Sequence, residues 1–321
     1  MQAGKALSVA PLARRLSRYA PADGAHPLPY PGAYVYRISR REEIRLALYE
    51  PAICLVAQGA KAVFYRGKAV RYDPLHFLAT TVDLPLRAEV LDASPERPFL
   101  CLKLVLEPAE VADLVAQTYP EGLPAEPSAP VCTLPATPEL VDAVRRFLDA
   151  LGDPKRRTTL APLFRREILI RLLLHDPALA RFAMPDSHLF RIGRAVEHLR
   201  AHFREPLDVE ALARLANLSK SAFYHHFKLV TSLTPLQYLK ALRLEEARRL
   251  LLAGASVTRA ALEVGYASPS QFVREYRRVF GKPPLQDVAE LRSRYRSSTP
   301  NRGGRVHRRA IASRVERSAG G

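Results

Sequence analysis

The sequence predicts an α+β chain in two parts: an N-terminal β-barrel or double-sheet jelly roll, then an all-α region built from two helix-turn-helix units. Three observations carry this. Residues 34–106 form a series of short runs rich in Val, Leu, Phe and Tyr, with Gly, Pro, Asp or Ser between most of them and no helical stretch among them. From about residue 188 to 291, helical signals dominate. Within that second part, one 17-residue pattern occurs twice, 49 residues apart.

The elements follow in chain order. Residues 1–33 begin "MQAGKALSVAPLARRLSRYAPADG" and read as a poorly ordered arm or a short helix, with no continuous apolar segment of signal-peptide type. The strand-like runs are "ICLVAQG" (53–59), "KAVFYRG" (61–67), "LHFLATT" (75–81), "LPLRAEVL" (84–91) and "FLCLKLVL" (99–106). Their spacing suits antiparallel sheets and argues against a parallel α/β fold. Glu107 to Tyr119 reads as a helix, and 119–138, rich in Pro and Ala, as an irregular connection. Amphipathic helices are expected at 138–151 and 160–174, and a hinge at 175–188, which holds Pro177 and Pro185. The boundaries are therefore an arm at 1–33, a β domain at 34–130, a helical connector at 131–187, the helix-turn-helix domain at 188–291 and a basic tail at 292–321, expected to be disordered.

Charge points to the same end of the chain. The net charge is +17. Residues 1–187 hold 24 Lys and Arg against 21 Asp and Glu, residues 188–290 hold 16 against 10, and residues 291–321 hold 9 against 1. A polyanionic partner should therefore meet the C-terminal part. Cys54, Cys101 and Cys132 form no CxxC pair, which argues against a zinc ribbon or a disulfide framework; Cys54 and Cys101 read as small core residues. No apolar run reaches the ~18–20 residues needed to cross a bilayer. The expected compartment is the cytoplasm, with no membrane partner.

The repeat sets "SKSAFYHHFKLVTSLTP" (219–235) against "SPSQFVREYRRVFGKPP" (268–284). Ser221 matches Ser270, Phe223 matches Phe272, Phe227 matches Tyr276, Lys228 matches Arg277 and Val230 matches Val279. Upstream, "VEALA" (209–213) matches "VTRAA" (257–261). Each copy is a short helix, a tight turn and a longer helix. At about 100° per residue, Phe223, Phe227 and Val230 form one buried stripe, and Phe272, Tyr276 and Val279 form its twin. Ser221, Tyr224, His225 and Lys228 face away from the first stripe. Ser270, Arg274 and Arg277 face away from the second, with Val273 on its flank. The aromatics are thus core groups that hold each helix, and the outward polar faces are the candidate contact surface. A connecting helix in "PLQYLKALRLEEARRLLLAG" (235–254), ~18–20 residues at ~1.5 Å each, would span ~27–30 Å. Successive major-groove windows on one face of B-DNA are ~34 Å apart, so one chain could address two of them.

The stretches "LARLANLSKSAFYHHFK", "TPLQYLKALRLEEARRLL" and "VGYASPSQFVREYRRVFGKPP" resemble the AraC/XylS family of bacterial transcription regulators, continuously over about 188–291. The N-terminal run 49–104 resembles the cupin-like N-terminal domain of one AraC subfamily. The resemblance implies that the longer helix of each unit enters the major groove. Carried over position by position, it implies Ser221, Tyr224, His225, Ser270, Val273 and Arg274 as base-reading residues, nearly the set that helical geometry selects. Arg274 is the best placed for a guanine edge. Lys220, Lys228, Arg277 and Arg278 suit DNA phosphates, which position a protein without reading sequence. Ser232 stands where a glycine is common, Ala260 where a larger aliphatic is usual, and Val273 where small polar residues are common. The resemblance further implies RNA polymerase as a partner and an N-terminal domain that senses a small-molecule effector or pairs two subunits as a homodimer; the identity of an effector, like the sign of regulation, is not written in the chain.

An alternative is a metal-dependent cupin-type enzyme fused to a DNA-binding domain. Such enzymes need clustered His and carboxylate ligands. The β region offers His76 alone, which reads as a satisfied core group, while His26 lies in the arm. His225 and His226 are adjacent, so on a helix they diverge. No catalytic residue, metal ligand or cofactor is expected.

Overall fold

The computed structural model describes residues 9–124 and 129–297 of the 321-residue chain. The elements run α1 (Ala10–Tyr19), β1 (Gly24–Pro27), β2 (Ala33–Ile38), β3 (Glu42–Tyr49), β4 (Ala52–Gln58), β5 (Ala60–Tyr65), β6 (Lys68–Tyr72), β7 (His76–Thr80), β8 (Leu84–Asp92), β9 (Phe99–Val105), α2 (Pro108–Thr118) and β10 (Val131–Pro135). Helices follow: α3 (Pro138–Leu151), α4 (Pro154–Thr159), α5 (Ala161–His175), a 3-10 segment (Pro177–Ala183), α6 (His188–Ala201), α7 (Val209–Leu215), α8 (Lys220–Thr231), α9 (Pro235–Leu252), α10 (Val257–Glu263), α11 (Pro269–Phe280) and α12 (Pro284–Ser297).

The strands form two antiparallel sheets, ordered β1-β2-β9-β4-β7-β10 and β3-β8-β5-β6. The jelly-roll form of the expectation holds, and the barrel is not closed. Strand β8 shows why the second sheet has two different faces. Leu84, Leu86, Ala88 and Val90 are buried while Arg87 is exposed, because successive side chains alternate across a pleated strand. Strand β4 lies in the middle of the larger sheet and is covered on both faces, so it is buried almost throughout. Its Cys54 and Val56 join the core between the sheets, with Val63, Tyr72, Leu86 and Phe99. Its Ile53 and Leu55 join a second core beneath the helices, with Leu16, Leu102, Phe147, Leu172, Ile192, Phe223 and Phe227. A third core, with Leu244, Ala247, Ala260, Phe272 and Tyr276, belongs to the second helix-turn-helix unit.

Several expectations change. The arm takes the short-helix form of the expectation from Ala10, and it docks through Leu12 and Leu16, an apolar pair one helical turn apart. The β region does not end at 130: β10 pairs with β7 from Val131↔Thr80 to Pro135↔His76, so the irregular connection contains a strand. The hinge expected at 175–188 holds a 3-10 segment whose Leu179, Ala180 and Phe182 are buried. Helix α12 continues to Ser297, six residues past the expected boundary; the tail from 298 onward lies outside the described residues. His76 is not a core group. It is exposed at a turn, with Nδ1 3.2 Å from Asp73 Oδ1. Cys54 and Cys101 are buried free thiols, as expected of core residues.

The docked arm gives a direct check. Leu16 is fully buried, so Leu16→Ala should cost ~2–4 kcal/mol by loss of transfer energy and cavity formation. Urea denaturation should show the loss, while Arg14→Ala, at an exposed position of the same helix, should leave the midpoint unchanged.

Candidate nucleic-acid interface

Each helix-turn-helix unit is built by the same local chemistry. Asp208 caps α7 by accepting from Glu210 N and Ala211 N at 3.0 and 2.9 Å, and Ser256 caps α10 by accepting from Arg259 N at 3.2 Å. The turns then need a left-handed residue: Asn217 at φ +52° in the first and Gly265 at φ +87° in the second. Both turns close with the same backbone bond, Leu218 N to Ala213 O and Tyr266 N to Ala261 O, each 3.0 Å. Ser219 and Ser268 cap the longer helices α8 and α11. Both helices end in a left-handed residue, Ser232 at φ +64° and Gly281 at φ +77°.

The inward faces match the expected stripes. Phe223, Phe227, Phe272 and Tyr276 are fully buried, with the Phe227 and Tyr238 rings edge to face at 5.6 Å. Val230 is buried, and Val279 is half-buried. On the outward faces Ser221, Tyr224, His225, Lys228, Ser270, Arg274 and Arg277 are exposed, and Val273 is half-buried. Lys220 is exposed and pairs with Glu210 at 3.0 Å, a surface pair of small worth. His226, beside the exposed His225, turns inward and stacks on His188 at 3.7 Å. Burial, followed by His188 and His225, lowers the His226 pKa. Among the described residues no group of three His, Cys, Asp or Glu could hold a metal ion. No described helix is long and apolar enough to cross a membrane.

Sequence reasoning missed the contacts that orient these helices. Arg243 of α9 donates to Phe203 O at 2.7 Å, Glu205 O at 2.8 Å and Gly265 O at 3.0 Å. Arg66 and Gly67, both at positive φ, form the two-residue turn between β5 and β6. This hairpin tip reaches the C-terminal end of α8: Tyr65 OH donates to Val230 O at 2.8 Å, and Arg66 donates to Leu229 O. Asp83, just before β8, pairs with Arg200 through its side chain and accepts from Tyr238 OH at 2.8 Å through its carbonyl. The Tyr65, Arg66 and Asp83 contacts join groups more than 100 residues apart, and no local pattern announces them or those of Arg243. Arg278 lines a cavity between α11 and the smaller sheet, alongside Arg87.

Two family models match the chain: the AraC-type transcriptional regulator N-terminus over residues 29–178, and a helix-turn-helix domain over residues 212–289. The HTH-type transcriptional activator RhaS of Escherichia fergusonii is 33% identical over 145 residues, 44% of this chain and 52% of that protein. A probable thc operon regulatory protein of Rhodococcus erythropolis is 34% identical over 114 residues, 34% of each chain. The chain thus spans about half, or less, of the length of these curated relatives. ToxT from Vibrio cholerae has a similar fold, with a TM-score of 0.55 at 10% identity over 80% of this chain and 97% of that one. Two capped helix-turn-helix units joined to an antiparallel double sheet give the order of parts that the two family models describe. With both family models matched in order, the chain belongs to the AraC-type transcriptional regulators.

Two predictions test this geometry. A Cβ on Gly265 would lie 2.5 Å from Arg204 O and 3.1 Å from Arg243 Cζ, on a left-handed backbone. Gly265→Ala should therefore cost ~2–4 kcal/mol. Gly254→Ala, at φ +104° with nothing within 4 Å, should cost less in the same denaturation series. The second concerns Glu245 of α9, which faces a cavity of 620 Å³ between the sheet and helix layers. Burial pushes its carboxyl up to about 7 against the opposing pull of Arg248. Arg248 is already held by both oxygens of Asp287, at 2.8 and 3.0 Å, and Glu245 Oε2 has no partner among the described residues. The unfolded value is ~4.3, so the folded chain binds this proton more tightly. That stabilisation is complete below about pH 4 and is lost as pH rises through about 7. Glu245→Gln should flatten the fall in urea midpoint over this range; an unchanged slope would show that Glu245 does not titrate there.

Proposed function

We propose that this chain is a sequence-specific DNA-binding transcriptional regulator whose two helix-turn-helix units read adjacent major grooves of one duplex. The observation that carries this is the repeated outward face: two aromatic-anchored helices of identical capping, each presenting small polar and basic side chains, joined by one stiff helix. That helix, α9, has 18 residues and is ~27 Å long at ~1.5 Å per residue, against a groove repeat of ~34 Å. Ser221, Tyr224 and His225 on α8, and Ser270, Val273 and Arg274 on α11, are the proposed base readers. Lys220, Lys228, Arg277 and Arg278 are the proposed phosphate contacts, with Arg278 also facing the smaller sheet.

In this reading the β-sandwich senses an effector or pairs two subunits, the latter through its sheets or the helices at 138–174. Its grip on α8 through Tyr65 and Arg66 supports a route from the sensor to the first unit. The bound protein would act on RNA polymerase in the cytoplasm, and transcriptional activation, the role in the name of the RhaS relatives, is the sign we assign. It carries no enzymatic role.

Operator fragments selected from genomic DNA supply the test. Arg274→Ala should cost ~1–3 kcal/mol at one base position and relax the preference there. Uniform weakening on every sequence would remove Arg274 from the base readers. Lys228→Ala should weaken binding alike on all sequences and lower the salt slope by about 1.

A further inference from the structure

The outer face of the smaller sheet meets the second helix-turn-helix unit across a crevice. On the sheet side Arg87 of β8 lies directly opposite Leu46 of β3 and Phe64 of β5, so all three share one face. On the helix side stand Lys240 and Leu244 of α9 with Arg278 and Val279 of α11. They enclose a cavity of 340 Å³. A second cavity, of 190 Å³, shares Leu46, Arg87, Arg278 and Val279 with the first. Arg87 and Arg278 therefore border the same two spaces from opposite walls.

Charge is not balanced there. Every carboxylate lining the two cavities is already committed. Glu275 accepts from Lys240 Nζ at 2.7 Å and from Tyr266 OH at 2.8 Å. Asp287 accepts from Arg248 and, at 2.8 Å, from Tyr276 OH. Glu290 accepts from Lys282 Nζ at 2.5 Å. Arg66 is spent on the Leu229 carbonyl. Arg87 and Arg278 are left with no hydrogen bond or ion pair among the described residues. Two guanidiniums facing one space repel each other, and each presents five donors in a fixed fork.

We infer that this crevice binds a small organic dianion, a phosphate monoester or a dicarboxylate, gripped between Arg87 of the sheet and Arg278 of α11. Two arginine forks match two anionic charges, and their planar geometry suits phosphate and carboxylate oxygens. Leu46, Phe64, Leu244 and Val279 supply an apolar wall for the organic body. The cavity volume sits at the small end of the ~300–1,000 Å³ usual for ligand sites. Bound there, the dianion neutralises the opposed arginines and ties α11 to the β-sandwich. Its effect on DNA reading rests on the role proposed for α11; the anion site itself does not.

Thermal melting of the full chain without DNA tests the site separately from that role. Phenyl phosphate and succinate are titrated, each against sodium chloride at equal ionic strength. The expected result is a saturable rise in Tm of several degrees with at least one of them, which also tells phosphate from dicarboxylate. The rise should disappear in Arg87→Ala and in Arg278→Ala, and return in part with Lys at either position. Both side chains are exposed, so the variants should melt like the parent in ligand-free buffer. No saturable rise with either probe, or an equal rise in the double alanine variant, overturns the proposal. So does an Arg278→Ala variant that keeps the full ligand response while lowering the salt slope of DNA binding, because it assigns that arginine to the DNA backbone.

Discussion

Two helix-turn-helix units on one chain are of use only if their separation and tilt are fixed, and the Arg243 guanidinium does most to fix them. Its donors satisfy the Phe203 and Glu205 carbonyls, in the loop that leads into the first unit, and the Gly265 carbonyl, in the turn of the second. A side chain on the connecting helix thus ties down both ends at once. One guanidinium is shared among three carbonyls of different segments, so the loop, the rod and the turn are mutually dependent. Arg248, further along α9, repeats the device: it binds Asp287 of α12 and lies 4.5 Å from the Phe280 ring centroid of α11.

The parts of the interface written locally could be read from the chain. The stripe Phe223–Phe227–Val230 and its copy 49 residues on announce buried faces by their period, and the caps Asp208, Ser219, Ser256 and Ser268 sit at helix starts. Strand β4, covered on both faces, is equally visible as an apolar run from Ala52 to Ala57. Strands β3 and β6 are not, because Glu42, Arg45, Lys68 and Arg71 break their apolar character. The grip of Tyr65 and Arg66 on α8 was hidden for another reason. Its partner is a backbone carbonyl 163 to 165 residues away, and carbonyls leave no mark on a sequence.

The two units are not equivalent in their surroundings. The first shares one continuous core with α1, the larger sheet and the connector helices, through Phe223, Phe227 and Tyr238. The second has a core of its own and meets the β-sandwich across cavities lined by charged side chains. Close apolar packing resists displacement, whereas a polar seam can open at little cost. The β-sandwich is therefore held closely to the first unit and more loosely to the second.

Strand β10 bears on how the molecule can be divided. It follows α2 in the chain yet closes the β7 side of the larger sheet, register by register from Val131 to Pro135. A fragment ending at residue 130 would strip that side and leave the β7 N–H and C=O groups as an open template for another chain. Such a fragment would be prone to self-association for reasons unrelated to any natural dimer. A faithful half-molecule must run at least through β10, and through α5 if the helical cover of the sheet is to be kept.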